Sequence, residues 1–166
     1  MNIHSSENKQ PTANSQQPEL KYCYKYPHPA VTADCVIFGL DESNKMKVLL
    51  IQRGNDPYKG KWAFPGGFME IDETAEQCAH RELEEETGLK DVAVEQFYTF
   101  TDVKRDPRER VITVAHYALV KLSEVKANDD ADDAQWFSLD EIPPLAFDHE
   151  EILNKALNTL KEKKKI

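Results

Sequence analysis

The segment Gly66–Leu89, GGFMEIDETAEQCAHRELEEETGL, constrains what this chain can fold into more than any other. It opens on a glycine pair after Pro65 and takes on helical character from about Thr74. It stops at Gly88, the residue type suited to a left-handed helix end. Six glutamates fall from Glu73 to Glu86, with Arg81 among them. At about 100° per residue, Ala75, Cys78, Ala79 and Leu83 share one side of the helical wheel, while Gln77, His80 and Glu84 share the other. Glu82 and Glu86 do not join the polar side. They lie on the stripe of Ala75 and Ala79, with Glu85 and Arg81 at its edge, where an ordinary amphipathic helix would carry Leu or Val.

That placement needs a physical reason. Glu82, Glu85 and Glu86 are i, i+3 and i, i+4 neighbours, and like charges at that spacing repel by roughly a few tenths of a kcal/mol per pair. Turning them inward adds a desolvation cost. A glutamate-rich surface helix would carry its charge on the opposite face, so a divalent cation is the natural compensation. Mg²⁺ takes hard oxygen ligands and is usually shared between a few carboxylates, water and substrate phosphates. The pair Gly66 and Gly67 fits the same picture, since a turn that brings backbone close to a phosphate leaves no room for a β-carbon.

The spacing Gly67, five residues, Glu73, seven residues, Arg81-Glu82-Leu83, one residue, Glu85-Glu86, one residue, Gly88-Leu89 resembles the Nudix box at every fixed position. The wider resemblance to the Nudix hydrolase family runs over roughly residues 28–162. It implies an α/β (α+β) fold, an α/β/α sandwich with a mixed central sheet between helices. It also implies metal-dependent hydrolysis of a nucleoside diphosphate linked to another group, with Mg²⁺ as cofactor and Mn²⁺ as a substitute. Carried over residue by residue, Glu82, Glu85 and Glu86 hold metal, with the backbone carbonyl of Gly66 as a further ligand. A water attacks phosphorus in line, and Glu82 or another carboxylate takes its proton. Arg81 pairs with a glutamate and orients it. Glu73, near the helix start, favours the helix dipole and braces the loop or a metal-bound water. In some family members the general base comes from a loop outside the box, and Asp129, Asp130, Asp132 and Asp133 stand where that loop falls.

Substrate residues are sought around the box. Arg53 ends a strand beside it and is a candidate phosphate contact, with Gly67 at the close approach. Trp62 and Phe68 flank the glycines and offer rings for a base. Arg105 and Arg108, in TDVKRDPRE, are candidates for phosphate or a terminal ribose. The loop RDPRERVI and the stretch Leu145–His149 resemble those of ADP-ribose pyrophosphatases. The leading expectation is therefore hydrolysis of ADP-ribose, or a related nucleotide sugar, to AMP and a sugar phosphate. The alternatives are sanitising of an oxidised nucleoside triphosphate such as 8-oxo-dGTP, and an ADP-ribose-binding sensor without turnover. Sensors with a similar domain act through an appended DNA-binding domain, for which the sequence after the last helix leaves no space. The histidines are dispersed and read as structural or solvated, His149 included.

Composition bounds the rest. A chain of 166 residues, 40% hydrophobic and 31% charged, reads as one soluble domain with a real core. The first 24 residues read as a disordered tail, the first 21 of them rich in Ser, Asn, Gln and Pro, and residues 25–166 as the single domain. A net charge of −9 without a basic patch argues against nucleic acid as a partner. No apolar run reaches the roughly 18 residues of a membrane span, and the N-terminus carries no secretory signal. Cys23, Cys35 and Cys78 are scattered and odd in number, which points to a reducing, cytoplasmic setting rather than to disulfides or zinc. The partner expected is a small-molecule nucleotide, and the resemblance adds a homodimer. Strands are expected over Ala30–Leu40, Lys45–Arg53, Val92–Phe100, Arg110–Val120 and Gln135–Phe137. An amphipathic helix follows from about Asp148.

Overall fold

The computed structural model describes residues 24–122 and 131–164. The expected tail except Tyr24, with Cys23 in it, lies outside the described residues, as do Asp129 and Asp130. In chain order the elements are β1 (Ala30–Leu40), β2 (Met46–Arg53), β3 (Trp62–Ala63), β4 (Gly66–Phe68), α1 (Ala75–Thr87), β5 (Glu95–Phe100), β6 (Val111–Lys121), β7 (Ala131–Ser138) and α2 (His149–Glu162).

Strand β1 organises the sheet because both of its faces are covered. Ala33, Cys35 and Ile37 pack with Cys78, Ala79 and Leu83 of α1. Val36 and Phe38, on the opposite face, pack with Ile152, Leu153, Ala156 and Leu160 of α2. A strand buried on both sides reads as a nearly continuous apolar run, and AVTADCVIFGL does so except at Thr32 and Asp34. Fully burying a side chain such as Ile37 or Phe38 contributes about 1.5–3 kcal/mol. The result is the expected helix–sheet–helix sandwich.

The sheet is mixed. β1 runs parallel to β6 along its whole length, from Ala30 opposite Val111 to Leu40 opposite Lys121. The other pairings are antiparallel. The β1–β2 hairpin closes over Asp41, whose Oδ1 accepts from the backbone N–H groups of Ser43 and Lys45 at 2.8 and 2.9 Å. Beyond the hairpin the two strands part. β1 pairs with β2 only over Phe38–Leu40, and its Thr32–Asp34 stretch pairs with β4. β2 turns its Ile51–Gln52 stretch to β3. The wedge between the parted strands is thus filled by β3 and β4, which deliver the glycine pair to the middle of the sheet.

Two expected boundaries shift by more than one residue. β5 begins at Glu95 rather than Val92, because Val92 packs into the core beneath α1 instead of joining the ladder. β7 begins at Ala131, so Asp132 and Asp133 belong to a strand paired with the end of β2 and not to a loop. Among the described residues no helix is long and apolar enough to cross a membrane. Cys35 and Cys78 are buried free thiols, and burial pushes both upward in pKa, Cys78 to about 12.

Candidate active site

Helix α1 is fixed at both ends by its own sequence. Thr74 is the N-cap: its hydroxyl accepts from the Gln77 N–H at 3.2 Å, and the Gln77 side chain accepts from the Thr74 N–H at 2.8 Å. Such a reciprocal box satisfies two otherwise unpaired donors. Gly88 closes the helix at φ 73°, its N–H donating to the Glu84 carbonyl at 2.8 Å. The caps fix its ends, and the packing of Cys78, Ala79 and Leu83 against β1 turns Glu82 and Glu86 to the wall of a cavity of about 350 Å³ between α1, β1, β4 and the 105–108 loop. That volume suits a small molecule.

Arg81 ties the loop before the helix to the helix itself. It donates to both carboxylate oxygens of Glu73, at 2.6 and 3.1 Å, to Glu82 at 2.7 Å, to Glu85 at 3.0 Å and to the Phe68 carbonyl at 3.2 Å. The guanidinium holds the Glu73 carboxyl down at about 2. Glu73 also accepts from the Glu70 N–H at 2.7 Å, which closes the turn between β4 and the helix.

The two inward glutamates are unlike Glu73. Glu86 is 8% exposed, and its Oε2 accepts from the Gly66 N–H at 2.9 Å. Burial raises its carboxyl to about 8, with the Glu82 and Asp34 carboxylates adding to the effect. Burial raises Glu82 as well, although Arg81 opposes it. Glu85 stands apart: its side chain is 43% exposed, it is held by Arg81, and it is not on the cavity wall.

The glycines have a reason that the sequence did not show. A β-carbon on Gly67 would lie 2.3 Å from Oε1 of Glu82, so the close approach is by this chain's own carboxylate. A β-carbon on Gly66 would lie 2.3 Å from the Ala33 carbonyl and 2.7 Å from Oδ1 of Asp34.

Arg53, Gly67, Phe68, Arg105 and Arg108 all reach the cavity wall with the glutamates. Their guanidinium groups are differently engaged. Arg105 is buried, donates to both oxygens of Asp148 at 2.8 Å, and lies 3.6 Å from Asp34. Arg105, a candidate for phosphate or a terminal ribose, reaches the cavity wall with its charge already paired by two carboxylates, as a buried guanidinium requires. Arg108 pairs with Asp106 at 2.7 Å and lies over the rings of Phe68 and Phe147, 5.0 and 5.6 Å from their centroids. Arg53 donates to the Pro57 and Asn55 carbonyls at 2.9 and 3.5 Å and lies 4.8 Å from the Phe147 centroid. Among the described residues no carboxylate is within ion-pair distance of Arg53; burial and the Arg108 charge lower its pKa, while the Glu86, Asp106 and Asp34 carboxylates oppose that shift from farther off.

Other expectations are also corrected. Trp62 does not reach the cavity; it packs edge-to-face on Phe137 at 4.6 Å. Asp133 does not reach it either. Its carboxylate accepts from the Ala134 N–H and the Gln135 side-chain amide.

Sequence reasoning missed Asp34, Thr32, Phe147 and the position of His149. Asp34 is 6% exposed and accepts from the Thr113 hydroxyl at 2.7 Å. A lone acid inside an apolar strand was the available signal. His149 is structural, as expected, but it is also part of the cavity wall. Its Nδ1 accepts from the Phe64 N–H at 2.9 Å, its ring stacks on Phe64 at 5.1 Å, and its Nε2 is 4.0 Å from Asp34. Burial holds it below the ordinary histidine pKa, in the neutral form that this acceptor role needs.

Among the described residues no three His, Cys, Asp or Glu side chains already form a closed metal cage. The donor set still fits a hard divalent ion. Two desolvated carboxylates, Glu82 and Glu86, share one wall of an open cavity, and their charge is disfavoured until a cation offsets it.

The family described as NUDIX domain matches residues 28–156. The chain is 44% identical over 135 residues to the ADP-ribose pyrophosphatase of Methanocaldococcus jannaschii, covering 81% of this chain and 77% of that one. It is 37% identical over 143 residues to the ADPR responsive transcriptional repressor NtrR of Acinetobacter baylyi, covering 83% of this chain but only 57% of the repressor. Among solved structures, the NUDIX domain of Shewanella oneidensis NrtR complexed with ADP ribose superposes with a TM-score of 0.78 at 34% identity, covering 84% of this chain and 94% of that domain.

Proposed function

The chain belongs to the Nudix family and is a Nudix hydrolase, and from that premise we propose that it hydrolyses the diphosphate of ADP-ribose, or a closely related nucleotide sugar, to AMP and a sugar phosphate. The observation that carries this reading is that one cavity is lined both by the carboxylates of Glu82 and Glu86, the latter buried, and by the guanidinium of Arg53, which has no carboxylate at ion-pair distance among the described residues. That arrangement suits a diphosphate held between metal and guanidinium. Support for the sugar nucleotide comes from the relative named as an ADP-ribose pyrophosphatase and from the related domain solved with ADP ribose.

In this reading Glu82 and Glu86 would hold Mg²⁺, with the Gly66 carbonyl as a further ligand, and Glu85 would join them only by turning from Arg81 toward the cavity. The bound ion would offset charge on the phosphate oxygens and lower the pKa of a coordinated water. Arg81 positions Glu82 by hydrogen bonding and is itself fixed by Glu73. Water attacks one phosphorus in line, a new P–O bond forms, and the bridging P–O bond breaks. Glu82 or another carboxylate within reach of that water takes its proton. Arg53 stabilises the phosphate charge, and Arg108 with Phe68 and Phe147 shapes the mouth of the cavity.

The test is a panel of ADP-ribose, other nucleoside diphosphate sugars, dinucleotides and 8-oxo-dGTP, with Mg²⁺ and chromatographic identification of products. AMP released fastest from ADP-ribose supports the reading. Preference for 8-oxo-dGTP with pyrophosphate release would refute it. The similarity to NtrR favours a second reading, an ADP-ribose sensor. Calorimetric binding of ADP-ribose with no turnover under Mg²⁺ or Mn²⁺ would establish that one instead.

A further inference from the structure

We propose that Thr32 is a specificity-determining residue of the cavity, its hydroxyl hydrogen-bonding a sugar hydroxyl of the bound substrate. The inference rests on the reading of the substrate as a nucleotide sugar. Among the described residues, Oγ1 of Thr32 is the one buried side-chain nitrogen or oxygen without a hydrogen-bond partner. The residue is 7% exposed and forms part of the cavity wall. Buried polar groups are almost always paired, and an orphan calls for an explanation. Val would fill the same space in a β-strand with no hydroxyl to satisfy. The hydroxyl is therefore a liability to the free fold, and a ligand entering the cavity is what can satisfy it.

The surroundings select the class of ligand group. Asp34, two residues along β1 and on the same face, is engaged by Thr113 and Arg105. Asp106 is engaged by Arg108. Asp34 and Asp106 are thus each paired with an arginine, and a phosphate placed beside Thr32 would meet the Asp34 carboxylate. A neutral hydroxyl meets no such penalty, and it can both donate to and accept from a threonine. Across the β1–β4 ladder Thr32 is in register with Phe68, whose partly exposed ring offers an apolar surface to the C–H face of a sugar. ADP-ribose carries two riboses, and the shared chemistry is a sugar hydroxyl.

The experiment compares wild type with Thr32→Val and Thr32→Ser. It uses ADP-ribose and two deoxy analogues, one lacking hydroxyls on the adenosine ribose and the other on the terminal ribose. Thr32→Val is expected to lower kcat/KM for ADP-ribose by about 5- to 30-fold, while Thr32→Ser stays within about threefold. One of the two analogues should be indifferent to Thr32→Val, which identifies the ribose concerned. The free Thr32→Val protein should melt at or above the wild-type temperature, because nothing in the fold uses the hydroxyl. Unchanged kcat/KM in Thr32→Val overturns the proposal. So does an equal loss on all three substrates, or a lowered melting temperature restored by Thr32→Ser. If wild type binds ADP-ribose without turning it over, the proposed activity fails while calorimetric affinities of the same variants still decide the role of Thr32. If it neither binds nor turns over ADP-ribose, both fail.

Discussion

The carboxylate of Glu82 occupies the space that a side chain on Gly67 would need, its Oε1 standing 2.3 Å from that β-carbon position. Gly66 is equally crowded, but by the backbone carbonyl of Ala33. The two glycines should therefore fail differently. A carboxylate at the end of a flexible side chain can move, so Gly67→Ala is expected to fold with near-wild-type stability and to lose activity by about 10- to 100-fold, in line with small misplacements of catalytic groups. A β-strand backbone cannot move so easily, and Gly66→Ala is expected to lose about 1–3 kcal/mol. Thermal melts and turnover measured on both variants check the contrast.

Arg105 is held by Asp148 and Asp34, whereas Arg108 keeps a partly exposed guanidinium over two rings. Removing one member of a buried pair strands the other, so Arg105→Ala is expected to destabilise the protein by about 3–5 kcal/mol. Arg108→Ala should leave the melting temperature within a few degrees and raise KM for the substrate. A denaturant titration beside steady-state kinetics separates the two arginines.

Glu73 and Glu86 should give opposite pH signatures in metal-free protein. The Glu73 carboxyl is held down at about 2 against an ordinary 4.5, so its contribution is present above pH 4.5 and is lost as pH falls toward 2. The melting-temperature advantage of wild type over Glu73→Gln should shrink across that window. The Glu86 carboxyl is held up at about 8, so the fold is favoured below pH 4.5 and loses that advantage as pH rises through 8. Glu86→Gln should become more stable than wild type over that rise. Melts from pH 3 to pH 9 in chelator test both signs.

Metal linkage follows from the same pair. A ligand that binds only the folded state stabilises it by RT ln(1 + [L]/Kd), about 2.7 kcal/mol at a hundredfold excess over Kd. Mg²⁺ is expected to raise the melting temperature of wild type at pH 8, and not that of Glu86→Gln. Equal shifts in the two proteins would place the ion elsewhere.

Much of this was legible in the sequence because it is local. The α1 boundaries follow from Thr74 and Gly88, and the inward turn of Glu82 and Glu86 follows from helical period. The strand pattern of β1 and the amphipathic run of α2 were equally readable. What stayed hidden depends on partners far away in the chain. Arg105 meets Asp148 across 43 residues, and that pairing also removes the Asp148 side chain from capping α2. Asp34 and Thr32 matter only because β4 and β6 bring Gly66, Phe68 and Thr113 beside them. The acidic residues Asp132 and Asp133 read as loop by composition, but pairing with β2 makes them strand.

The most direct test of the account is the rate of AMP release from ADP-ribose by wild type and Glu86→Gln, measured side by side at saturating Mg²⁺ and pH 8. Wild type is expected to release AMP only with Mg²⁺, and the variant to lose at least about 10²–10³-fold with ADP-ribose still bound. Near-equal rates would show that the buried carboxylate of Glu86 does not serve the chemistry and would contradict the central claim.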